Sequence, residues 1–142
     1  MNAAAELSPL SSQRIRTELL RRGYRFKTEP DGDITGIWDG NRFWFSLLGE
    51  KREVLRVRGK WSTDLPGDSF DAALFAANDW NRDRVFPKVY VRDEGTVGLY
   101  TEVSVDFEPG ATDEQIADVI TCGLITAAQF FAQADTIALD FE

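Results

Sequence analysis

Carboxylates, one thiol, and a set of basic and aromatic side chains are the groups with which this chain could do chemistry. Asp79 and Asp83 are spaced one helical turn apart, so both can project from one helix face. Two close carboxylates divide acid and base roles only when their surroundings push their pKa values apart, and no sequence feature desolvates either of these. The pair reads as solvated like charges. Asp31-Gly32-Asp33 has the composition of a calcium loop but neither its ligand spacing nor its closing glutamate, and reads as a hairpin turn. Cys122, between Thr121 and Gly123 in a helical stretch without a nearby base, reads as a small packing residue or a surface bystander. The chain has no histidine. That excludes Ser-His-Asp and Cys-His nucleophile pairs, histidine bases and histidine metal ligands. One cysteine cannot build a zinc or iron–sulfur site, and no phosphate-binding glycine loop follows a strand. No catalytic residue, cofactor or metal is expected.

The remaining pattern lies on strands. Val54, Arg56, Arg58 and Lys60 point one way while Leu55, Val57 and Trp61 point the other. Lys88, Tyr90 and Arg92 alternate against Pro87, Val89 and Val91, and Tyr100 sits on the polar side of a third strand. If these rows share a face, Arg56, Arg58, Lys60, Lys88, Tyr90, Arg92 and Tyr100 form a partner-binding surface. Such a surface can stack bases or hold an acidic peptide. The competing reading is an ordinary solvated sheet face whose arginines pair across strands with Glu102.

The elements that must position these residues can be read in order. Ser8-Pro9 can cap and start a helix whose apolar side holds Leu10, Ile15, Leu19 and Leu20, with Gly23 ending it. "YRFKTEP", "ITGIW", "RFWFSLL" and "EVLRVRGKWS" then read as an antiparallel meander, turning at Asp31–Asp33, Asp39–Asn41 and Gly49–Lys51. The first of these pieces is short and can be an edge. Asp68 is placed to cap a second helix carrying Phe70, Leu74, Ala77 and Trp80 at helical spacing. "FPKVYV" and "TVGLYTEVSVDF" form a hairpin, with Val97, Leu99, Thr101, Val103, Val105 and Phe107 on one face. Thr112 and Gln115 make a capping box for the last helix. There Ile116, Val119, Ile120, Gly123, Leu124, Ala127, Phe130, Phe131 and Ala134 form a wide apolar stripe. The order α-β-β-β-α-β-β-α implies an α+β fold, a single antiparallel sheet with helices packed on it, as one domain over residues 1–142.

Charge is unevenly placed. The net charge is −8, yet residues 1–60 hold twelve Lys/Arg against eight Asp/Glu and residues 61–142 hold four against sixteen. An acidic surface of that extent repels phosphate backbones, which disfavours nucleic acid as a partner and leaves only the first half able to serve. No apolar run approaches the roughly 18–20 residues of a membrane-spanning helix, and the N-terminus lacks a signal peptide's pattern. With a lone cysteine, the expectation is a cytoplasmic protein that does not engage membranes.

The stretch "NDWNRDRVFPKVYV" joins helix to strand: Trp80 continues the apolar face, Asn81 stands where a left-handed C-terminal cap would end the helix, and Pro87 begins the strand. Extended through to Phe131, this part of the chain resembles the YbjN-domain family of bacterial proteins. The shared features are Asn78 and Asn81, the hairpin about Asp93–Gly95, Gly110 with Thr112, and the aromatic pair Phe130–Phe131. The resemblance covers about the last 65 residues well and the earlier ones only in element order. It implies a fold similar to type III secretion chaperones, a non-enzymatic sensory-transduction regulator, and no catalytic residue. The expected partner is another protein, bound by a chaperone-like module acting as adaptor or regulator. The alternative is a nucleic-acid-associated regulator using the basic, tyrosine-bearing face. The related chaperones are commonly homodimers, which implies a homodimer here.

Overall fold

The computed structural model describes residues 6–138. Helix α1 spans Ser12–Arg21 and is followed by β1 (Lys27–Thr28), β2 (Ile34–Trp38), β3 (Asn41–Leu48) and β4 (Val54–Lys60). A short 3-10 turn leads into α2 (Phe70–Asp83), then β5 (Lys88–Asp93), β6 (Val97–Asp106) and α3 (Asp113–Ala138). The strands form one antiparallel six-stranded sheet in the order β1-β2-β3-β4-β6-β5. The α+β class and element order therefore stand, with β1 a two-residue edge piece ahead of three full strands.

Strict alternation sorts the sheet into two faces. Ile34, Phe43, Phe45, Leu55, Val57, Val89, Leu99 and Val103 are buried with Ile15, Leu19, Ala77, Trp80 and the stripe of α3 in one core. The apolar side chains expected in the α3 stripe, from Ile116 to Ala134, are all buried. All three helices thus pack on the same side. A helix can lie so low over the sheet only because Gly123 faces Val57: a Cβ there would come within 2.6 Å of the valine side chain. The register is pinned by pairs such as Phe45 with Val57 and Val57 with Val103, since a one-residue slip would turn this core face to water. At the far end, the Trp61 indole N–H donates to Asp135 Oδ1 at 2.8 Å, fastening the last turns of α3 to the end of β4.

Several local expectations need correction. Ser11, not Ser8, caps α1, its hydroxyl accepting from the Arg14 N–H, while Ser8 instead pairs its backbone with Ala111. Asp68 does not cap α2: the chain enters through the 3-10 turn, which leaves it in the first turn of that element. The helix buries Ala73, Ala77 and Trp80 rather than Leu74, which is partly exposed. By length and composition α3 is apolar enough to cross a membrane, against the expectation of no such segment. Its stripe is instead covered by the sheet. The capping box formed as expected, Gln115 N–H donating to Thr112 Oγ1 and Thr112 N–H to Gln115 Oε1.

Candidate functional site

With the helices on one side, the opposite face of the sheet is left without a covering layer among the described residues. Register places its side chains in rows that run across the strands. Trp44 of β3 stands opposite Arg58 of β4, which stands opposite Glu102 of β6 and, beyond it, Lys88 of β5. The next row holds Arg42, Lys60, Tyr100 and Tyr90, and Arg92 lies opposite Gly98. On the other side, Ser46 faces Arg56, which faces Ser104. All seven residues singled out from the sequence therefore share one face. Trp44, Ser46 and Arg42 belong with them and were not singled out. The alternation in "RFWFSLL" carried that information, since Phe43 and Phe45 claim the core side.

The aromatic rings of this face are already in use. Tyr90 and Tyr100 stack with centroids 5.4 Å apart and planes 14° apart. Tyr100 is only 7% exposed, because Gly98 leaves room for its ring to lie along the sheet: a Cβ at Gly98 would come 3.1 Å from it. The Arg58 guanidinium lies 4.6 Å from the Trp44 ring centroid and 5.9 Å from that of Tyr100, with Arg92 at 5.6 Å from Tyr100. Lys88 Nζ sits 5.5 Å from the Tyr90 ring. Stacking of this kind holds a guanidinium plane in place through its electrostatic attraction to the ring. Burial pushes the Tyr90 hydroxyl pKa up, and the nearby positive charge of Arg58 pulls back part of that rise.

The expected cross-strand Arg–Glu102 pairing is absent. Among the described residues, no carboxylate lies within 4.0 Å of Arg42, Arg56, Arg58 or Lys88. Lys60 pairs with Asp64 at 2.8 Å and Arg92 with Glu94. Glu102 instead accepts from Ser104 Oγ at 3.3 Å. Three polar atoms on this face, Ser46 Oγ, Arg56 Nε and Arg58 Nε, are buried without a hydrogen-bond partner among the described residues.

The other candidates for chemistry resolve into structural roles. Asp79 and Asp83 both pair with Arg82, at 2.8 and 3.2 Å. The hydrogen bond from Arg82 and its charge hold the Asp83 carboxyl below its usual pKa, so this acid is not poised to keep a proton. Asp31 accepts from the Asp33 N–H inside a tight turn. Burial pushes the Cys122 thiol up, which disfavours a nucleophilic thiolate. Asn81 is not a cap. It lies within α2, and its side-chain amide bonds both backbone groups of Val89, donating to the carbonyl at 2.8 Å and accepting from the N–H at 2.9 Å. Arg84 stacks 4.0 Å from the Trp80 ring centroid.

Comparison with known proteins gives the fold and a regulatory description. The model of the YbjN family, described as "Putative bacterial sensory transduction regulator", matches residues 11–136. The crystal structure of YbjN from E. coli, described as "a putative transcription regulator", superposes with a TM-score of 0.79 at 14% identity, covering 94% of this chain and 97% of that one. At that identity the likeness speaks for the fold. No curated protein matches the chain in sequence.

Proposed function

The chain belongs to the YbjN family, whose description is regulatory, and from that premise we propose that it is a non-enzymatic protein-binding module acting as adaptor or regulator. In this reading it works in the cytoplasm as a homodimer, and its partner lies on the uncovered face of the sheet. The observation that carries the reading is the state of the arginines there. Arg58 is held on Trp44 and Tyr100 and Arg56 stands beside it in the same strand, yet neither has a carboxylate partner among the described residues. Arginines that merely solubilise a sheet pair across strands or extend their charged heads into water.

The nucleic-acid reading needs aromatic faces free for bases. Tyr100 is buried between Tyr90 and the arginines, and Trp44 has Arg58 against it. This point favours a protein.

The test is double charge reversal. Arg56→Glu with Arg58→Glu changes partly exposed positions and is expected to leave the fold intact by circular dichroism, while abolishing recovery of the native partner by affinity capture from lysate. Capture at wild-type yield by the folded double variant would show that the face is solvated surface only. Binding to DNA or RNA that weakens steeply with salt, in proportion to phosphates neutralised, would show the nucleic-acid reading to be the right one.

A further inference from the structure

We propose that Arg56 and Arg58 read carboxylates spaced at alternate positions along an extended, acidic segment of the partner protein. The proposal rests on the protein-binding reading above and adds to it the chemistry and spacing of what is bound.

Spacing comes from the strand itself. Arg56 and Arg58 lie on β4 two residues apart and on the same face, so their origins are separated by about 6.6–6.8 Å, twice the rise per residue of a strand. An extended peptide presents side chains i and i+2 on one side at that same distance. A segment lying along β4 with acids at alternate positions therefore sets one carboxylate at each guanidinium.

Donor chemistry comes from what the fold leaves unused. The Nε–H groups of both arginines are buried without acceptors, and Ser46 Oγ, on a residue only 2% exposed, is likewise unpartnered beside Arg56. A buried donor without an acceptor costs free energy that an arriving carboxylate recovers. A guanidinium matches a carboxylate with two parallel N–H···O bonds, and Nε–H with one terminal N–H is one such fork. Arg58, with its plane held near Trp44 and Tyr100, keeps little rotamer freedom to lose on binding. Glu102, directly opposite Arg58 in register, is the acid best placed to fill the fork from within, and no pairing forms.

The experiment uses the full chain with three defined probes at low ionic strength. These are a ten-residue peptide of alternating Glu and Ser, a block peptide of equal composition with the order Glu-Glu-Ser-Ser-Glu-Glu-Ser-Ser-Glu-Ser, in which no two Glu lie two positions apart, and decathymidylate. Arginine side-chain Nε–H resonances are followed by NMR as each is added at millimolar concentration. The expected result is saturable movement of the Arg56 and Arg58 Nε–H signals with the alternating peptide, at least about 5-fold tighter than with the block peptide. The Arg21 and Arg22 Nε–H signals, already bonded to Glu18 within the fold, should stay in place. Arg58→Lys keeps the charge but loses the fork, and should weaken the alternating peptide by a similar factor with an unchanged backbone spectrum. Equal affinity for both peptides, undiminished binding by Arg58→Lys, or no movement of these signals would each overturn the proposal. So would movement with decathymidylate alone. If equal affinity for both peptides coincides with loss of native-partner capture by the charge-reversed variant, the protein-binding reading survives and only the carboxylate spacing is wrong.

Discussion

Asn81 gives β5 a hydrogen-bonding neighbour that the sheet does not supply. β5 is the outer strand, so Val89 turns its N–H and carbonyl away from β6, and the Asn81 amide takes both. Asn81→Ala leaves those groups to water or to nothing, and should lower stability by about 1–2 kcal/mol in urea unfolding. Asn81→Gly should cost more still, since glycine in a helix interior loses a further ~1 kcal/mol. A cap residue would behave in the opposite way, with glycine close to neutral. Glu18 makes a second prediction at this scale. Burial alone would push its carboxyl up, but hydrogen bonds from Arg21 and Arg22 with their charges outweigh it, so the folded pKa lies below the ordinary value of 4.5. The unfolded chain therefore takes up this proton first, and the contribution is full above that pH and lost as pH falls through the folded value. Glu18→Gln should lower stability at pH 7 and flatten the acid limb below about pH 4.5 in a denaturation series. An unchanged acid limb would show that Glu18 adds nothing to it.

Helix α3 is the element on which the core depends, and its closeness to the sheet is set by one residue. A Cβ at position 123 would lie 2.6 Å from Val57 Cβ, too near for either partner to give without moving helix or strand. Gly123→Ala raises helix propensity in isolation, so propensity predicts stabilisation and packing predicts loss. Packing should win, by about 1–3 kcal/mol for an overfilled core, read as a shift in the urea midpoint at constant slope. A neutral result would mean that α3 can ride outward freely.

At the scale of the whole molecule, the uncovered sheet face is basic and α3 is acidic, while α1 on the side of α3 carries Arg14, Arg16 and Arg21. Arg42, Arg56, Arg58, Lys60, Lys88 and Arg92 lie on the uncovered face against Glu102 and Asp106, whereas α3 has no Lys or Arg along Asp113–Ala138. A basic face of this kind steers an acidic partner to one side and raises its encounter rate at low salt. It also means that two copies repel when sheet face meets sheet face. The homodimer proposed above is therefore expected to use another surface. Sedimentation should show a dimer at micromolar concentration for both wild type and the Arg56→Glu/Arg58→Glu variant. A mass of 16.0 kDa at every concentration would remove the dimer from the reading.

Periodicity alone determined much of this protein. The α3 stripe, the two faces of β4 and β6, and the capping box at Thr112 each come from spacings of two, three or four residues, which local geometry translates directly into burial. The seven residues of the basic face were legible for the same reason, because alternation assigns a side before any partner strand is known. Other features depended on residues far apart in the chain. Asn81 looked like a cap because its local neighbours suit one, and only the arrival of β5 beside α2 made it a clamp. Alternating charge suggested that the arginines of this face could pair with Glu102, whereas the tertiary structure gave Arg58 the rings of Trp44 and Tyr100. Opposite charges in register have only weak mutual attraction in water, and a flat ring beside a guanidinium offers both attraction and burial. Which of the two an arginine takes is decided by side-chain packing across three strands, and no spacing within one strand records it.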